Sequence, residues 1–153
     1  MNRHSITIVC LVATFIANAG EQLTTKAKCV VNQPTNAELQ LLQGTWEGVL
    51  VGDKAHQKIT ITITRNSLHF HRDTNFWFET TITLPPGTDP QQLHARIEDN
   101  APSQGTNAVG KVVVALFKIG DGTLTLAARG DGSEETPIGF EDERVTRYEL
   151  RKV

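Results

Sequence analysis

The segment that decides the fold is residues 57–65, which read QKITITITR. Ile59, Ile61 and Ile63 alternate with threonine, so one face of an extended chain is apolar and the other is polar. A period of two with β-branched residues throughout is typical of a strand that buries one face. The segment therefore predicts a β-strand whose isoleucines face a core.

The same period recurs on both sides of this segment, in short runs separated by turn residues. The predicted strands are 45–52, 57–65, 67–72, 75–84, 91–98, 111–119, 123–129 and 145–152. No helix-length segment separates them, which disfavours a parallel α/β sheet. We therefore expect an all-β fold in which eight antiparallel strands close into an up-and-down barrel, with a two-sheet sandwich as the alternative.

A short helix is expected before the first strand. Residues 35–38 read TNAE, which matches a capping box, and three leucines follow before Gly44. A threonine and a glutamate at this spacing can satisfy the first free amides of a helix, and a glycine commonly ends one. The pattern predicts a helix over about residues 36–43.

The first residues have the order of a secretory signal peptide. Arg3 precedes an apolar run at 6–16, and Ala17-Asn18-Ala19 provides small residues at the positions that signal peptidase requires. The run is shorter than the roughly 20 apolar residues of a transmembrane helix. We therefore expect no membrane span, cleavage after Ala19, and a mature chain that is secreted or periplasmic.

The rest of the chain divides into a leader or linker at 20–35 and one barrel domain at 36–153. Cleavage would remove Cys10 and leave Cys29 as the single cysteine. One cysteine cannot form an internal disulfide, so the domain must be stabilised by its core. A monomer is expected, although Cys29 could allow a disulfide-linked dimer.

The composition excludes several classes of partner and activity. Lys and Arg number 15 against 17 Asp and Glu, and no long run of one sign occurs, so we expect no binding to nucleic acid. Gly-x-Ser-x-Gly is absent, and no nucleophile has a readable base nearby. We therefore expect neither an enzyme nor a cofactor.

Four segments carry a family resemblance. They are Leu42-Gln43-Gly44-Thr45-Trp46, the strand Ala115–Ile119 with its Gly/Asp hairpin to 123–126, Pro137-Ile138-Gly139-Phe140, and the closing Leu150-Arg151-Lys152. In this order the chain resembles the lipocalin-like domain of uncharacterised secreted bacterial proteins that recurs in planctomycetes. The resemblance covers 37–65 and 111–153. Thr136 stands where that family often has arginine, and the family brings a fold but no established activity.

The resemblance also implies a structural role for the Gly-x-Trp motif. In lipocalins the signature tryptophan closes one end of the barrel, and a basic residue of the last strand packs over it. The corresponding plug here is Gly44 and Trp46 with Arg151 or Lys152. A cation over an indole face contributes about 0.5–2 kcal/mol, depending on its desolvation.

The opposite, open end is the candidate ligand site. The inward faces of the strands carry large apolar residues, and Phe70, Phe76, Phe78 and Phe117 are the expected aromatic wall. A barrel of this size holds either a filled core or one small ligand. We expect a small apolar or amphipathic ligand. The alternative is a filled-core module that contacts a protein partner through loops 99–110 and 130–144.

Three histidines are expected on the outer surface. His69 and His71 share the strand face opposite Leu68 and Phe70, and His94 has a similar outward position. Two histidines on one strand can bind zinc when a third ligand is near. The sequence places no acidic residue or cysteine clearly beside them, so we expect solvated histidines and no bound metal.

Overall fold

The computed structural model describes three ranges of the chain, residues 36–52, 57–129 and 134–153. The predicted signal peptide, the leader and Cys29 lie outside the described residues. Within those three ranges, no helix has the length and apolar character needed to cross a membrane.

The described chain is one short helix followed by a closed barrel. Helix α1 is Asn36–Leu42, and the strands are β1 (Gly44–Leu50), β2 (Lys58–Thr64), β3 (Ser67–Asp73), β4 (Phe76–Thr83), β5 (Gln92–Asn100), β6 (Val112–Gly120), β7 (Thr123–Arg129) and β8 (Val145–Lys152). Each strand pairs antiparallel with the next, and β8 pairs with β1. The predicted eight-stranded up-and-down barrel and its preceding helix are confirmed, and the sandwich alternative is wrong.

The isoleucines of β2 show why the pattern folds this way. Ile59, Ile61 and Ile63 are all buried, whereas Thr60 and Thr62 between them are partly exposed. Side chains alternate across a strand, so a closed sheet turns one set inward. Full burial of each isoleucine side chain stabilises the folded state by roughly 1.5–3 kcal/mol. Buried apolar residues of the other strands, among them Leu68, Leu93, Leu124 and Leu150, belong to the same core.

The closing seam between β1 and β8 depends on Gly48. This glycine faces Leu150 across the seam and Ile59 on its other side. A Cβ built on Gly48 would lie 1.9 Å from the Glu149 carbonyl oxygen, which is far inside any contact distance. The two backbones can therefore approach this closely only because residue 48 has no side chain. The sequence pattern does not distinguish this glycine from the others.

Trp46 closes the end of the barrel beside α1. Its side chain is 2% exposed, and its indole Nε1 donates a 2.8 Å hydrogen bond to the carbonyl oxygen of Leu42, the last residue of the helix. Gly44 adopts a φ of +111°, and a Cβ there would lie 3.0 Å from Cε of Lys152. Gly44 therefore leaves room for the lysine stem that crosses the plug.

The structure corrects the basic residue of the plug. Lys152 Nζ lies 5.3 Å from the centroid of the Trp46 ring, whereas Arg151 pairs with Glu47 in the seam register and is exposed. Because Leu150 faces the core, strand alternation places residue 152 on the same side and Arg151 outside. Lys152, and not Arg151, therefore covers the indole.

Residues 134–144, here called the strap, contact the outward face of β6–β8. Lys118 Nζ lies 5.0 Å from the centroid of the Phe140 ring, and two outward arginines form ion pairs with strap glutamates, Arg129 with Glu135 and Arg147 with Glu141. Leu116 and Ala127 on this face are fully buried. Part of the predicted loop 130–144 is therefore packed against the barrel.

Replacing Gly48 with alanine is expected to lower the free energy of unfolding by about 3 kcal/mol or more, since overpacking here displaces backbone. Urea unfolding of Gly48→Ala measures this cost. Gly120→Ala is the matched control, because a Cβ there meets nothing within 4 Å, and its expected effect is within about 0.5 kcal/mol. Equal stabilities of the two variants would contradict the close approach of the β1 and β8 backbones at Gly48.

Replacing Lys152 with methionine keeps the stem but removes the charge over the indole. The expected loss of stability is about 0.5–2 kcal/mol, read from the urea midpoint. Arg151→Met removes a neighbouring charge from the outer surface and is expected to change stability by less than about 0.5 kcal/mol. A larger effect of Arg151→Met would return the plug role to Arg151.

Candidate functional site

The end of the barrel opposite Trp46, here called the mouth, collects the candidate ligand residues. β1 leads from the plug at Trp46 to Leu50 at the opposite end of the barrel, where Leu50 pairs with Tyr148 of β8. The β3–β4 hairpin and the β5–β6 connection reach the same end, since Phe78 of β4 pairs with Asn100 at the end of β5. Strand direction therefore assigns the plug and the mouth to opposite ends.

Four aromatic rings form one group at the mouth, here called the mouth cluster: Phe70, Phe76, Phe78 and Tyr148. Ring centroids are 6.0 Å apart for Phe70 and Phe76, 5.2 Å for Phe76 and Phe78, and 5.7 Å for Phe70 and Tyr148. These pairs have the edge-to-face geometry that aromatic rings favour. All four side chains remain partly exposed.

Phe117 lies apart from this cluster. Its side chain is 2% exposed, and it faces Leu126 of β7 within the hydrophobic core. No ring contact joins it to another aromatic residue in the described ranges. Three of the four predicted wall residues are therefore brought together, and Tyr148 takes the place that the sequence analysis gave to Phe117.

Arg72 adds a charge that the sequence analysis missed. Its Cζ atom lies 3.9 Å from the centroid of the Phe76 ring, and its Nε donates a 2.9 Å hydrogen bond to Asp73. That bond from Arg72 is the main cause that lowers the pKa of Asp73. The sequence could have predicted this position, because Arg72 lies two residues after Phe70 on the same strand and so points to the same inward face.

Tyr148 supplies a desolvated hydroxyl at the same end. Burial raises its pKa to about 12, and the Arg72 charge opposes part of that rise. No other described residue forms a hydrogen bond with the hydroxyl. A phenol that stays neutral is able to donate to, or accept from, a bound molecule.

The mouth cluster offers an aromatic surface and not a deep pocket. Its rings contact one another, which fills the space between them. Two depressions formed by the described residues, of about 340 and 300 Å³, lie on the outside of the barrel. A molecule bound at the mouth would therefore rest against the rings.

The predicted loop 99–110 forms part of the mouth. β5 extends to Asn100, whose Nδ2 donates to the carbonyl oxygens of Ala101 at 3.0 Å and Gly105 at 2.8 Å. The side chains of Ser103 and Gln104 donate to the carbonyl oxygen of Asn75 in the β3–β4 hairpin. The connection is therefore tied to the hairpin that carries Phe76.

The histidines are placed as expected, but one has an acidic neighbour. His69 faces Glu79 across β3 and β4, with 3.8 Å between Nε2 and Oε1. This pairing depends on strand register, which the sequence does not state. His94 lies two strands away on β5, where it contacts Gln92. Within the described ranges, no group of three His, Cys, Asp or Glu residues could hold a metal ion.

The chain has one tyrosine, so the absorbance of its phenolate reports Tyr148 alone. In the folded protein the phenolate is expected to form near pH 12, compared with about 10 after unfolding. Because the folded state then retains a proton that the unfolded state loses, stability should fall by about 1.4 kcal/mol per pH unit between those values.

Tyr148→Phe is the control, because it removes this part of the pH dependence and leaves the other groups unchanged. The difference between the two proteins in free energy of unfolding, followed from pH 9 to 12, isolates the tyrosine. A folded-state phenolate that appears near pH 10 would contradict the burial of the hydroxyl.

Comparison with protein-family models, with curated proteins and with solved structures finds no match to this chain. A function for the mouth must therefore be argued from the chemistry of its residues. That chemistry consists of three partly exposed phenylalanine rings, a neutral phenol and a guanidinium within one end of a closed barrel.

Proposed function

We propose that this chain is a lipocalin-like binding protein that takes a small amphipathic ligand at the barrel mouth. One observation carries the proposal, namely the partly exposed mouth cluster with Arg72 beside it. Apolar surface with a few convergent polar groups is the usual composition of a small-molecule site. The rest of the interior is occupied by buried apolar side chains, so the mouth is the place where a ligand could be accommodated.

The polar residues suggest the orientation of the ligand. Its apolar body would lie against Phe70, Phe76 and Phe78, and an anionic or hydrogen-bond-accepting end would face Arg72 and Tyr148. The bond to Asp73 uses Nε of Arg72, so the two terminal guanidinium nitrogens are the donors available to a ligand. A planar guanidinium of this kind suits a carboxylate or a sulfonate.

The proposed location is outside the cytoplasm, either secreted or periplasmic. The support is the order of charge, apolar run and small residues in the first 19 positions. Mass spectrometry of the exported chain tests this part, with a mature protein beginning at Gly20 as the expected result. Recovery of the uncleaved chain from the cytoplasm would overturn it.

A protein-interaction module is the second candidate, and different residues favour it. Ile138 in the strap is 80% exposed and Val109 in the β5–β6 connection is 47% exposed. Both side chains lie on connections between strands, and such surface loops commonly carry binding residues. Under this alternative the aromatic rings complete a filled core, and the two loops bind a protein partner.

Titration with an anilinonaphthalene sulfonate tests the ligand proposal. We expect saturable one-to-one binding that Phe76→Arg weakens by at least about tenfold, because the new charge occupies the apolar surface. Trp77→Ala, on the opposite face of the same strand, is the matched control and should leave the affinity unchanged. Circular dichroism melts establish that both variants are folded.

A second, uncharged probe isolates the contribution of the Arg72 charge to ligand binding. Arg72→Met is expected to weaken binding of the sulfonate more than binding of uncharged phenylnaphthylamine, since only the first has an anionic end. If neither probe binds the folded chain, the ligand proposal is overturned and the filled-core alternative is favoured. Cross-linking through cysteines placed at Val109 and Ile138 would then identify the partner.

A further inference from the structure

A second candidate site lies on the outside of the barrel, on the outward face of β3 and β4. His69, His71, Thr74, Trp77 and Glu79 line an open depression of about 340 Å³. All four strand residues alternate with the phenylalanines of the mouth, so this surface is separated from the mouth cluster by the sheet itself. None of these residues has a role in the function proposed above.

The depression combines one apolar ring with several polar side chains. The Trp77 indole lines it and is partly exposed, with the His69 ring edge-on at a centroid distance of 6.3 Å. The rings of His69 and His71 are 5.9 Å apart, and Glu79 lies 3.8 Å from His69. An apolar indole is therefore surrounded by groups that donate and accept hydrogen bonds.

The hairpin that forms one wall is held in place by the rest of the barrel. Asp73 accepts a 2.8 Å hydrogen bond from the Asn75 amide across the turn. The Asn75 carbonyl accepts from Ser103 and Gln104 of the β5–β6 connection. Thr74 is therefore presented by a fixed turn, and a preformed site loses less conformational entropy when a ligand binds.

The charges and the shape narrow the class of ligand. An anion is disfavoured because Glu79 lines the depression and Asp99 is paired directly across from it. A metal ion is disfavoured because the described residues here do not form a three-ligand group. A long lipid chain would remain mostly in water in so open a depression, because Trp77 is the one large apolar side chain among its lining residues.

We propose that this depression binds a neutral sugar ring. A pyranose has one face of C–H groups, which can stack on the Trp77 indole through dispersion contacts. Its hydroxyl groups both donate and accept, which matches the carboxylate of Glu79, the two imidazoles and the Thr74 hydroxyl. The chain would then contact a carbohydrate through one side of the barrel and a small ligand through its mouth.

Nuclear magnetic resonance of the ¹⁵N-labelled chain gives a direct test. The protein contains two tryptophans, so its spectrum has one indole N–H signal from each. Trp46 donates its N–H to Leu42 inside the barrel and serves as the internal reference. The probes are cellohexaose, xylohexaose, mannohexaose and chitohexaose, added separately.

We expect at least one oligosaccharide to shift the Trp77 signal saturably, with the Trp46 signal unchanged. A dissociation constant of about 1 mM or tighter suits a shallow, open site. When sugar binding is followed through the Thr74 amide signal, Trp77→Ala should weaken it by at least about tenfold and Glu79→Gln by about fivefold. Arg151→Met should have no effect, because Arg151 lines a different depression on the outside of the barrel, together with Glu47 and Thr123.

Three results would overturn this proposal. The first is an unchanged Trp77 signal with all four sugars, and the second is a larger shift with tetramethylammonium than with any sugar, which would indicate a cation site. The third is a Trp77 shift that depends on protein concentration alone, which would indicate that a second copy of the chain occupies the surface.

Discussion

The approach of β1 to β8 at Gly48 is the constraint on which the rest of the structure depends. The barrel joins its first strand to its last along the seam from Trp46 to Leu50, and at its centre the carbonyl of Glu149 occupies the space that a side chain at residue 48 would need. The seam brings Lys152 over Trp46 at one end and Tyr148 beside Leu50 at the other. The plug and the mouth therefore both depend on one position without a side chain.

The polar groups at the two ends of the barrel differ in their hydrogen bonding and in their surroundings. At the plug, the buried indole N–H is paired with the end of α1 and its ring carries the Lys152 ammonium. At the mouth, the Tyr148 hydroxyl is desolvated and Arg72 stacks on the partly exposed ring of Phe76. Satisfied polar groups stabilise a fold, whereas groups left with spare donors suit recognition of another molecule.

Strand alternation alone is enough to predict most of the fold from the sequence. The Ile-Thr repeat of β2 and its equivalents predicted eight strands and their inward faces, and the same parity could have selected Lys152 and Arg72. Features that depend on strand pairing could not be read in this way. The Gly48 approach, the Glu79 partner of His69 and the position of Tyr148 among the phenylalanines arise from register between strands that are distant in sequence.

Pairing the first strand with the last also sets when the protein can fold. A chain is synthesised from its N-terminus, so β1 has a free edge until residue 152 has left the ribosome. Contacts between such distant segments also form slowly. The closed core therefore cannot form until β8 has been synthesised, and every shorter length of this chain presents an open sheet edge.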